Sequence, residues 1–431
     1  MTHTASTAPA ASAFAVEIQR QLDGLAAQGL YRQLRRVEGR PGPRMLVDGR
    51  ECLMMASSNY LDLAGDERVI GAAHAAADAF GTAAGGSRLI NGNLSLHEAL
   101  EAEIAAFVGF ESSLVFGSGY LANLGVLTSL CGPDDVVISD QLNHASIIDG
   151  CRLSGARTRV FRHNDPDALK ATLGEEVGVR RRVVVLDGVF SMDGDIARLR
   201  ELVPTARAHD ALVILDDAHG IGILGPTGRG TAEHEDVAVD VLIGNLGKAL
   251  GSIGAFVACT EKLREYLINT ARTFIFTCAP APPALGAARE ALRILQQEPL
   301  RARTLLEHAD QLRAGLNASG YETGTGTTHI VPAIIGDNQR TMNLAAAAFE
   351  RGIFAHGIRY PTVPQGSARI RLTPSAGHTT DDIATVIDTF ASLHSFATGV
   401  PLGAGDPTPT SRLAPQTAAP VTTRAARPTR E

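Results

Sequence analysis

The sequence predicts an α/β fold: a doubly wound, mostly parallel sheet in a large domain, followed by a smaller α+β domain. Short apolar runs alternate with helical stretches from Ser113 onward, which is typical of a parallel sheet with helices on both faces. After Pro283 the pattern changes to long helices with two intervening strands. With 431 residues, 45% of them hydrophobic and 20% charged, the chain is long enough for two domains.

Composition and charge exclude several classes of protein. The net charge of −7 argues against a nucleic-acid partner, and no apolar run is long enough to span a bilayer. The first residues lack a positive region followed by an apolar core, so no secretory signal is predicted. The five cysteines are odd in number and lack CxxC spacing, which favours a cytoplasmic protein with neither a disulfide framework nor a metal site.

The chain divides into five predicted parts. The Ala/Ser/Thr-rich start and the Pro/Ala/Thr-rich end are expected to be disordered. A helix over 15–28, continued by the basic segment 31–36, forms most of an N-terminal arm. The predicted parts are a disordered start (1–13), the arm (14–55), a large domain (56–283), a small domain (284–395) and a disordered tail (396–431).

The elements follow in order. In the large domain, apolar runs predict strands at 114–116, 136–138, 183–186, 212–215 and 241–243, and helices at 120–130 and 144–153. The stretch from Gly81 to Gly92 is too rich in glycine for regular structure. In the small domain, helices are predicted at 284–297, 302–319 and 342–351 with strands at 330–334 and 368–372, and Thr379 with Asp382 caps a last helix.

Lys248 follows the strand 241–243 and stands among small residues, between Gly247 and Ala249. A lysine there is poorly solvated, which disfavours its ammonium form and makes the amine a usable nucleophile. Such lysines form Schiff bases with carbonyl compounds, and pyridoxal phosphate (PLP) is the commonest cofactor of this kind. The alternative is a surface lysine in a glycine-rich loop.

Other polar groups also follow predicted strands of the large domain. The segment Gly117–Asn123 lies between a strand and a helix, where backbone amides bind phosphate oxygens, although such turns are often glycine-rich for geometric reasons alone. Asp216 ends the strand 212–215 and can pair with a protonated pyridine nitrogen, or cap the next turn. His219 can reach a ring hydroxyl, or be a core histidine.

Three further groups complete the set of candidates. His144 opens a helix and can stack on a cofactor ring, and Ser191 places a hydroxyl just past a strand. In the basic segment 31–36, a solvated face is the first interpretation, and anion binding, which assigns Arg32 to a substrate site, is the second. Together these residues indicate a cofactor site in one doubly wound domain.

From about Gly29 to Phe390 the chain resembles the α-oxoamine synthases, which are PLP-dependent enzymes of the aspartate aminotransferase fold. The resemblance implies PLP-dependent transferase fold type I and a homodimer whose active site lies between two subunits. It is carried by the segments Gly85–Asn93 (GGSRLINGN), Ser139–Ser146 (SDQLNHAS), Asp187–Gly194 (DGVFSMDG), Asp216–Gly220 (DDAHG) and Pro361–Pro364 (PTVP).

The resemblance also implies the roles of individual residues. Arg371 matches the arginine that grips the carboxylate of the amino-acid substrate, and such pairs are bidentate and directional. The implied cofactor set is Lys248 as PLP carrier and acid/base, Asp216 at the pyridine nitrogen, His144 stacked on the ring, Ser191 and His219 at its hydroxyl, and the amides of Gly119 and Tyr120 at the phosphate.

Four positions depart from the family pattern. Asn245 stands where a phosphate-binding threonine is usual, and its amide still donates hydrogen bonds. Cys278 replaces a second threonine, which the family gives to the neighbouring subunit's phosphate, and a thiol is a poor donor. Ser58 occupies the place of a substrate-contacting asparagine, and Asp62 replaces a usual glycine.

The reaction implied is a decarboxylative condensation of an amino acid with an acyl thioester, which gives an α-amino ketone. Within the family the pattern is most similar to members that join L-alanine to pimeloyl-CoA or pimeloyl-ACP in biotin synthesis. Glycine C-acetyltransferase, a secondary-metabolite synthase with other substrates, an aminotransferase and a degenerate, non-catalytic protein are the alternatives. Transamination releases no CO2, which separates it from condensation.

Overall fold

The structure is a computed structural model that describes residues 13–398. The segments predicted to be disordered lie outside the described residues, except Ala13, which begins a helix, and 396–398, which belong to another. No helix in this part of the chain combines the length and apolar character needed to cross a membrane.

The described residues form fourteen strands and fifteen helices. The strands are β1 (Val37–Glu38), β2 (Arg44–Val47), β3 (Arg50–Met54), β4 (Ser112–Phe116), β5 (Val136–Asp140), β6 (Arg157–Phe161), β7 (Arg182–Asp187), β8 (Ala211–Asp216), β9 (Val241–Asn245), β10 (Ala255–Cys259), β11 (Val331–Gly336), β12 (Ile353–Phe354), β13 (His356–Ile358) and β14 (Ala368–Leu372). The helices are α1 (Ala13–Ala27), α2 (Glu67–Phe80), α3 (Ser95–Val108), α4 (Gly119–Leu130), α5 (Ala145–Ser154), α6 (Pro166–Glu175), α7 (Leu199–Arg207), α8 (Thr231–His234), α9 (Glu261–Thr270), α10 (Arg272–Ile275), α11 (Pro282–Gln297), α12 (Leu300–Ala318), α13 (Asn338–Glu350), α14 (Thr380–Ser392) and α15 (His394–Thr398).

A seven-stranded sheet forms the centre of the large domain, in the order β4-β10-β9-β8-β7-β5-β6. Neighbouring strands from β9 to β6 are parallel, and only β10 runs antiparallel, against both β4 and β9. The predicted mostly parallel sheet is confirmed. Strand β6 escaped prediction because it lies at the sheet edge and exposes Arg157, Thr158 and Val160, so it lacks an apolar run.

Helices cover both faces of this sheet, as the predicted doubly wound order requires. On β7, Val183 and Val185 join one apolar cluster, which includes residues of α4, α5 and α9. Val184 and Leu186 point to the opposite cluster, with residues of α3, α6, α7 and α11. Since successive strand residues face opposite sides, an unbroken apolar run is what a strand buried on both faces needs.

The helix predicted to continue through 31–36 is wrong. Helix α1 ends at Ala27, and the chain is irregular until β1 begins at Val37. Gly29 takes a φ of +65°, a left-handed conformation that glycine adopts easily and that commonly ends helices. Arg359 then holds the irregular segment, because its guanidinium donates to the backbone carbonyls of Gly29 and Tyr31.

The small domain contains the antiparallel sheet β11-β14-β13, and its core includes residues of the arm. Leu53 on β3 packs in this core, and β3 pairs with β12. Helix α11, which begins at Pro282, packs in the large-domain core, and α12 contributes Leu305 to that core and Ala309 to the small-domain core. The predicted domain boundary at Pro283 stays a prediction.

Two other local predictions are confirmed. The stretch between Gly81 and Gly92 is irregular, and buried Arg88 anchors it by pairing with Glu101 through two hydrogen bonds of 2.8 and 3.1 Å. Thr379 and Asp382 form the predicted capping box at the start of α14.

The strand that leads to Lys248 depends on a glycine. A Cβ atom at Gly244 would lie 2.2 Å from Cζ of Phe256, the residue paired with it on β10. We therefore expect Gly244→Ala to lower the free energy of unfolding by about 1–3 kcal/mol or more, the usual cost of overpacking a core. Urea unfolding measures this.

Gly71→Ala is the matched control, because Gly71 lies within α2 and a Cβ there meets nothing within 4 Å. This substitution should raise stability by about 0.4–1 kcal/mol. Equal unfolding midpoints for the two variants would contradict the packing described for β9.

Candidate active site

A cavity lies at the carboxyl edge of the central sheet, where ligands bind in open parallel sheets. Its lining residues lie at or just after the ends of β5, β7, β8 and β9 and at the start of α4. Nine cofactor-binding residues are predicted from the sequence, and all of them except Cys278 line this cavity. The lining residues are Gly119, Tyr120, His144, Ser146, Asp187, Ser191, Asp216, Ala218, His219, Asn245 and Lys248.

Lys248 is half-buried, and its Nζ lies 2.9 Å from Nε2 of His219. Nδ1 of His219 is 2.9 Å from the hydroxyl of Tyr60, which is fully buried. Burial first, and then the charge of Lys248, hold the pKa of His219 far below its ordinary value. His219 is therefore neutral and can accept a hydrogen bond from the lysine.

Arg371 extends this chain of hydrogen bonds from the small domain. Its Nη2 donates to the hydroxyl of Tyr60 at 3.2 Å, and its Nε donates to the carbonyl of Ser191 at 2.6 Å. The remaining N–H groups of a guanidinium with this arrangement are free to bind a carboxylate. The predicted substrate arginine is thus linked to Lys248 through two intervening side chains.

Two buried carboxyl groups, of Asp187 and Asp216, also line the cavity. Asp216, at the end of β8, accepts a hydrogen bond from Asn123 at 2.6 Å and one from the backbone N–H of Ala218 at 3.1 Å. Burial and the charge of Asp216 raise the pKa of Asp187 well above its ordinary value. A cationic ring nitrogen is the kind of group that Asp216 would stabilise here.

His144 is the N-cap residue of α5, and its ring is exposed to the cavity. Its backbone N–H donates to Oδ2 of Asp187 at 2.8 Å, which fixes the start of the helix. Burial is the main cause that lowers the pKa of His144; Lys248 lowers it further and Asp216 opposes it. A neutral, flat ring with one open side suits stacking.

The N-terminus of α4, which also lines the cavity, supplies a site for an anion. Ser118 caps the helix, so the amides of Gly119 and Tyr120 begin its first turn. A Cβ at Gly119 would lie 3.0 Å from Nδ2 of Asn245. Because Oδ1 of Asn245 accepts a bond from Gly247 at 2.7 Å, its NH2 group faces Gly119. Asn245 can therefore donate where the family's threonine would.

These groups fit PLP in chemistry and order. Amide donors suit the phosphate, the His144 ring suits the face of the pyridine, and Asp216 suits its nitrogen. Ser191 and His219 also line the cavity, where the ring hydroxyl can meet a donor. The Lys248 amine lines the same cavity and is available to the aldehyde.

Four predicted residues do not line the cavity, and one of them, Arg371, bonds to the carbonyl of Ser191, which does. Cys278 is exposed, beside the glycine-rich segment to which Ala279 donates a hydrogen bond. Arg32 is exposed in the irregular segment before β1, and Ser58 is half-buried just before Tyr60. For these residues a substrate or cofactor role stays a prediction.

Sequence reasoning missed four side chains that build the site. Asn123, Ser146 and Asp187 lie inside segments singled out from the sequence, and Tyr60 lies between Ser58 and Asp62, so their polar character was the available signal. Buried His329 was not singled out at all. It packs edge-on against Tyr60 with ring centroids 4.2 Å apart, and neither of its nitrogens has a partner among residues 13–398.

Comparison with known proteins identifies the class. The chain matches the family described as aminotransferase class I and II over residues 50–390, and it belongs to this family. Its fold is PLP-dependent transferase fold type I, as the resemblance implied.

Individual relatives narrow the resemblance. The chain is 46% identical over 378 residues to 8-amino-7-oxononanoate synthase of Geobacter metallireducens, covering 86% of this chain and 96% of the relative. It is 44% identical over 376 residues to 8-amino-7-oxononanoate synthase 2 of Bacillus subtilis, covering 87% and 97%. A solved serine palmitoyltransferase from S. paucimobilis with bound PLP has a TM-score of 0.85 and 31% identity, covering 89% and 98%. The predicted resemblance to α-oxoamine synthases, and to 8-amino-7-oxononanoate synthase among them, is confirmed.

His163 stabilises the loop that carries Ser191, because its ring lies between the carboxylates of Asp140 and Asp195. Nδ1 of His163 lies 2.9 Å from Asp140 and Nε2 lies 2.9 Å from Asp195. Burial opposes the charged form, but the hydrogen bonds to these two carboxylates raise the pKa of His163 to about 10. The side chain is thus an imidazolium that ties β5 to the loop after β7.

This ion pair predicts a pH-dependent part of the stability. The folded pKa of about 10 exceeds the ordinary 6.5, so the contribution is complete below pH 6.5 and is lost as the pH rises to 10. We expect His163→Gln to remove up to about 1.4 kcal/mol per pH unit from the slope of stability in this range. Urea unfolding at several pH values measures the slope.

His74→Gln, on the exposed face of α2, is the control and should keep the wild-type slope. If His163→Gln and the wild type lose stability in parallel between pH 7 and 10, His163 is not a buried imidazolium.

Proposed function

We propose that this protein condenses L-alanine with a pimeloyl thioester, of CoA or acyl-carrier protein, with loss of CO2. The products are 8-amino-7-oxononanoate and the free thiol, and the reaction belongs to biotin biosynthesis. The cofactor is PLP. The observation that carries the proposal is the placement of Lys248, Asp216 and His144 around one cavity, in a chain about 45% identical to curated 8-amino-7-oxononanoate synthases.

Recognition of the amino acid falls to Arg371. It is already held by Tyr60 and the Ser191 carbonyl, so its free N–H groups are oriented before substrate arrives. A bidentate pair with the carboxylate would fix the α-carbon relative to Lys248. Because Arg371 shares Tyr60 with His219, the same contacts orient the carboxylate and the lysine.

Lys248 is the acid and base. It removes the proton from the α-carbon of the amino acid and later returns a proton to the product. Bound PLP supplies an electron-withdrawing ring that stores the charge left on that carbon. Asp216 keeps the ring nitrogen protonated. Neutral His219 is placed to accept a hydrogen bond from the Lys248 amine.

His144 faces the cavity with its ring and can donate to the oxyanion that develops on the thioester carbonyl. The thiol then leaves, CO2 is lost from the amino-acid carboxylate, and a carbon–carbon bond remains between the two substrates. Each step uses a group that lines the cavity or bonds to one that does.

A homodimer with a shared active site is part of the proposal. The large apolar side chains of Leu89, Ile90, Ile253 and Phe276 are exposed, and exposed apolar surface is typical of an interface. Cys278 is also exposed, two residues after Phe276, and would face the partner subunit rather than its own cavity. Five free cysteines support a cytoplasmic location.

A different pair of substrates on the same site is the second candidate. The serine palmitoyltransferase structure favours it, because that enzyme superposes over 89% of this chain while its name gives another amino acid and acyl group. Ser58, on the loop before Tyr60, is where the amino-acid preference would differ. An aminotransferase would share Lys248 and Asp216.

A thiol-release assay over a panel of amino acids and acyl thioesters separates these candidates. We expect the highest rate with L-alanine and pimeloyl-CoA or pimeloyl-ACP, with one CO2 released for each thiol. Release only with serine and palmitoyl-CoA, or glycine and acetyl-CoA, would replace the substrates and retain the class. Amino-group transfer without CO2 would contradict condensation.

Lys248→Ala tests whether Lys248 carries PLP and acts as the acid and base. It should lower the rate by more than the about 10²–10⁴-fold that a general acid or base contributes, since it also removes the PLP carrier. The chain has only two other lysines, Lys170 and Lys262, so Lys262→Ala on α9 is the matched control and should retain full activity. Substantial activity in Lys248→Ala would refute the assignment.

A further inference from the structure

A buried hydrogen-bond network behind the cavity joins Asp216 to His144 through Asn123 and Ser146. Asn123 lies in α4 and Ser146 in α5, and each is 1% exposed. Nδ2 of Asn123 is 2.6 Å from Oδ2 of Asp216 and 3.0 Å from Oγ of Ser146. One amide group therefore contacts both the residue at the ring nitrogen and the support of the stacking histidine.

The carboxylate of Asp216 decides how the Asn123 amide is turned. An ionised carboxylate only accepts hydrogen bonds, so the NH2 group must face it. The reversed amide would place Oδ1 of Asn123 at 2.6 Å from a carboxylate oxygen, two acceptors in contact. Oδ1 instead lies buried without a partner in the described part of the chain. Because an unpaired buried acceptor is costly, the orientation is one that Asp216 imposes.

The direction of donation continues through Ser146. Its Oγ receives a hydrogen from Asn123, so its own proton is available for Nδ1 of His144, 2.7 Å away. The backbone N–H of Ser146 also points to that nitrogen, at 3.2 Å. A proton on Nδ1 would face this N–H, so Nδ1 must be an acceptor.

The neutral ring then carries its proton on the other nitrogen. Burial, the main cause of the lowered pKa of His144, keeps the ring uncharged. His144 lines the cavity, and with Nδ1 an acceptor its Nε2 is the ring nitrogen that can donate to a bound molecule.

We propose that Asn123 and Ser146 are positioning residues that hold the Asp216 carboxylate in one orientation and fix His144 as its Nε2–H tautomer. The donor on the face of the cofactor ring and the acceptor at its nitrogen are set by a single network. The use of Nε2–H as donor to the thioester oxyanion rests on the proposed function, whereas the tautomer itself does not.

Nitrogen NMR of the full-length, PLP-loaded protein labelled with ¹⁵N-histidine reads the tautomer without any substrate. The chain has 13 histidines, and the signals of His144 are those lost in His144→Gln. We expect a pyridine-like shift for Nδ1 and a pyrrole-like shift for Nε2. The opposite pattern, or two protonated nitrogens at neutral pH, would overturn the proposal.

Titration of the PLP-free protein with PLP tests the network as a unit. Asn123→Leu removes both donated bonds and should raise the dissociation constant of PLP by about 10-fold or more, as expected for a lost hydrogen bond to a charged group. Ser146→Ala should have a smaller effect, and the double variant should cost less than the product of the two.

Ser154→Ala is the matched control, because Ser154 lies at the other end of α5 and bonds only backbone groups there. It should leave the dissociation constant unchanged. Wild-type affinity in Asn123→Leu, or strictly multiplicative effects in the double variant, would overturn the network. If Asn123→Leu does not fold, the Ser146→Ala titration and the wild-type NMR still decide.

Discussion

The site depends on the parallel register of three neighbouring strands. Asp187 at the end of β7 pairs with Asp216 at the end of β8, and Asp216 pairs with Ile243 on β9. Because parallel strands end at the same edge, two carboxyl groups and, five residues after Ile243, the Lys248 amine meet at one cavity. Any change that displaced β9 relative to β8 would separate the amine from the carboxylate.

A second constraint joins the two domains at this edge. Arg369 and Arg371 lie on β14 of the small domain, and both bond the loop that carries Ser191. Arg369 is buried and is also paired with Asp193, whereas Arg371 turns towards Tyr60. The strand thus holds the loop with one arginine and presents the other to the substrate, so substrate recognition and loop position are coupled.

The sequence alone predicted most of the large-domain strands and eight of the cavity residues, because buried parallel strands are apolar runs and the polar groups follow them. Sequence analysis assigned Asp216 rather than its neighbour Asp217 to the site, and the contacts of the two residues show why they differ. In the structure Asp217 turns away to Thr231, with two hydrogen bonds and a pKa raised by burial to about 7. Successive residues of a strand point to opposite faces of the sheet, so the two aspartates are separated. Which of the two faces the site is known only from the fold.

Contacts between distant segments were beyond sequence reasoning for the same reason. Tyr60 meets His219 across 159 positions and Arg371 across 311, so no local pattern announces either bond. The structure also distinguishes two departures from the family pattern, Asn245 and Cys278. Asn245 lines the cavity and keeps a donor at its phosphate end, while Cys278 lies outside it.

The central claim is that PLP is carried by Lys248 at the carboxyl edge of the sheet. Borohydride reduction of the purified protein, followed by peptide mass spectrometry, locates the pyridoxyl group directly. The account predicts the added mass on the peptide containing Lys248 and on neither of those containing Lys170 or Lys262. Label on another lysine, or a purified protein that binds no PLP at any lysine, would contradict it.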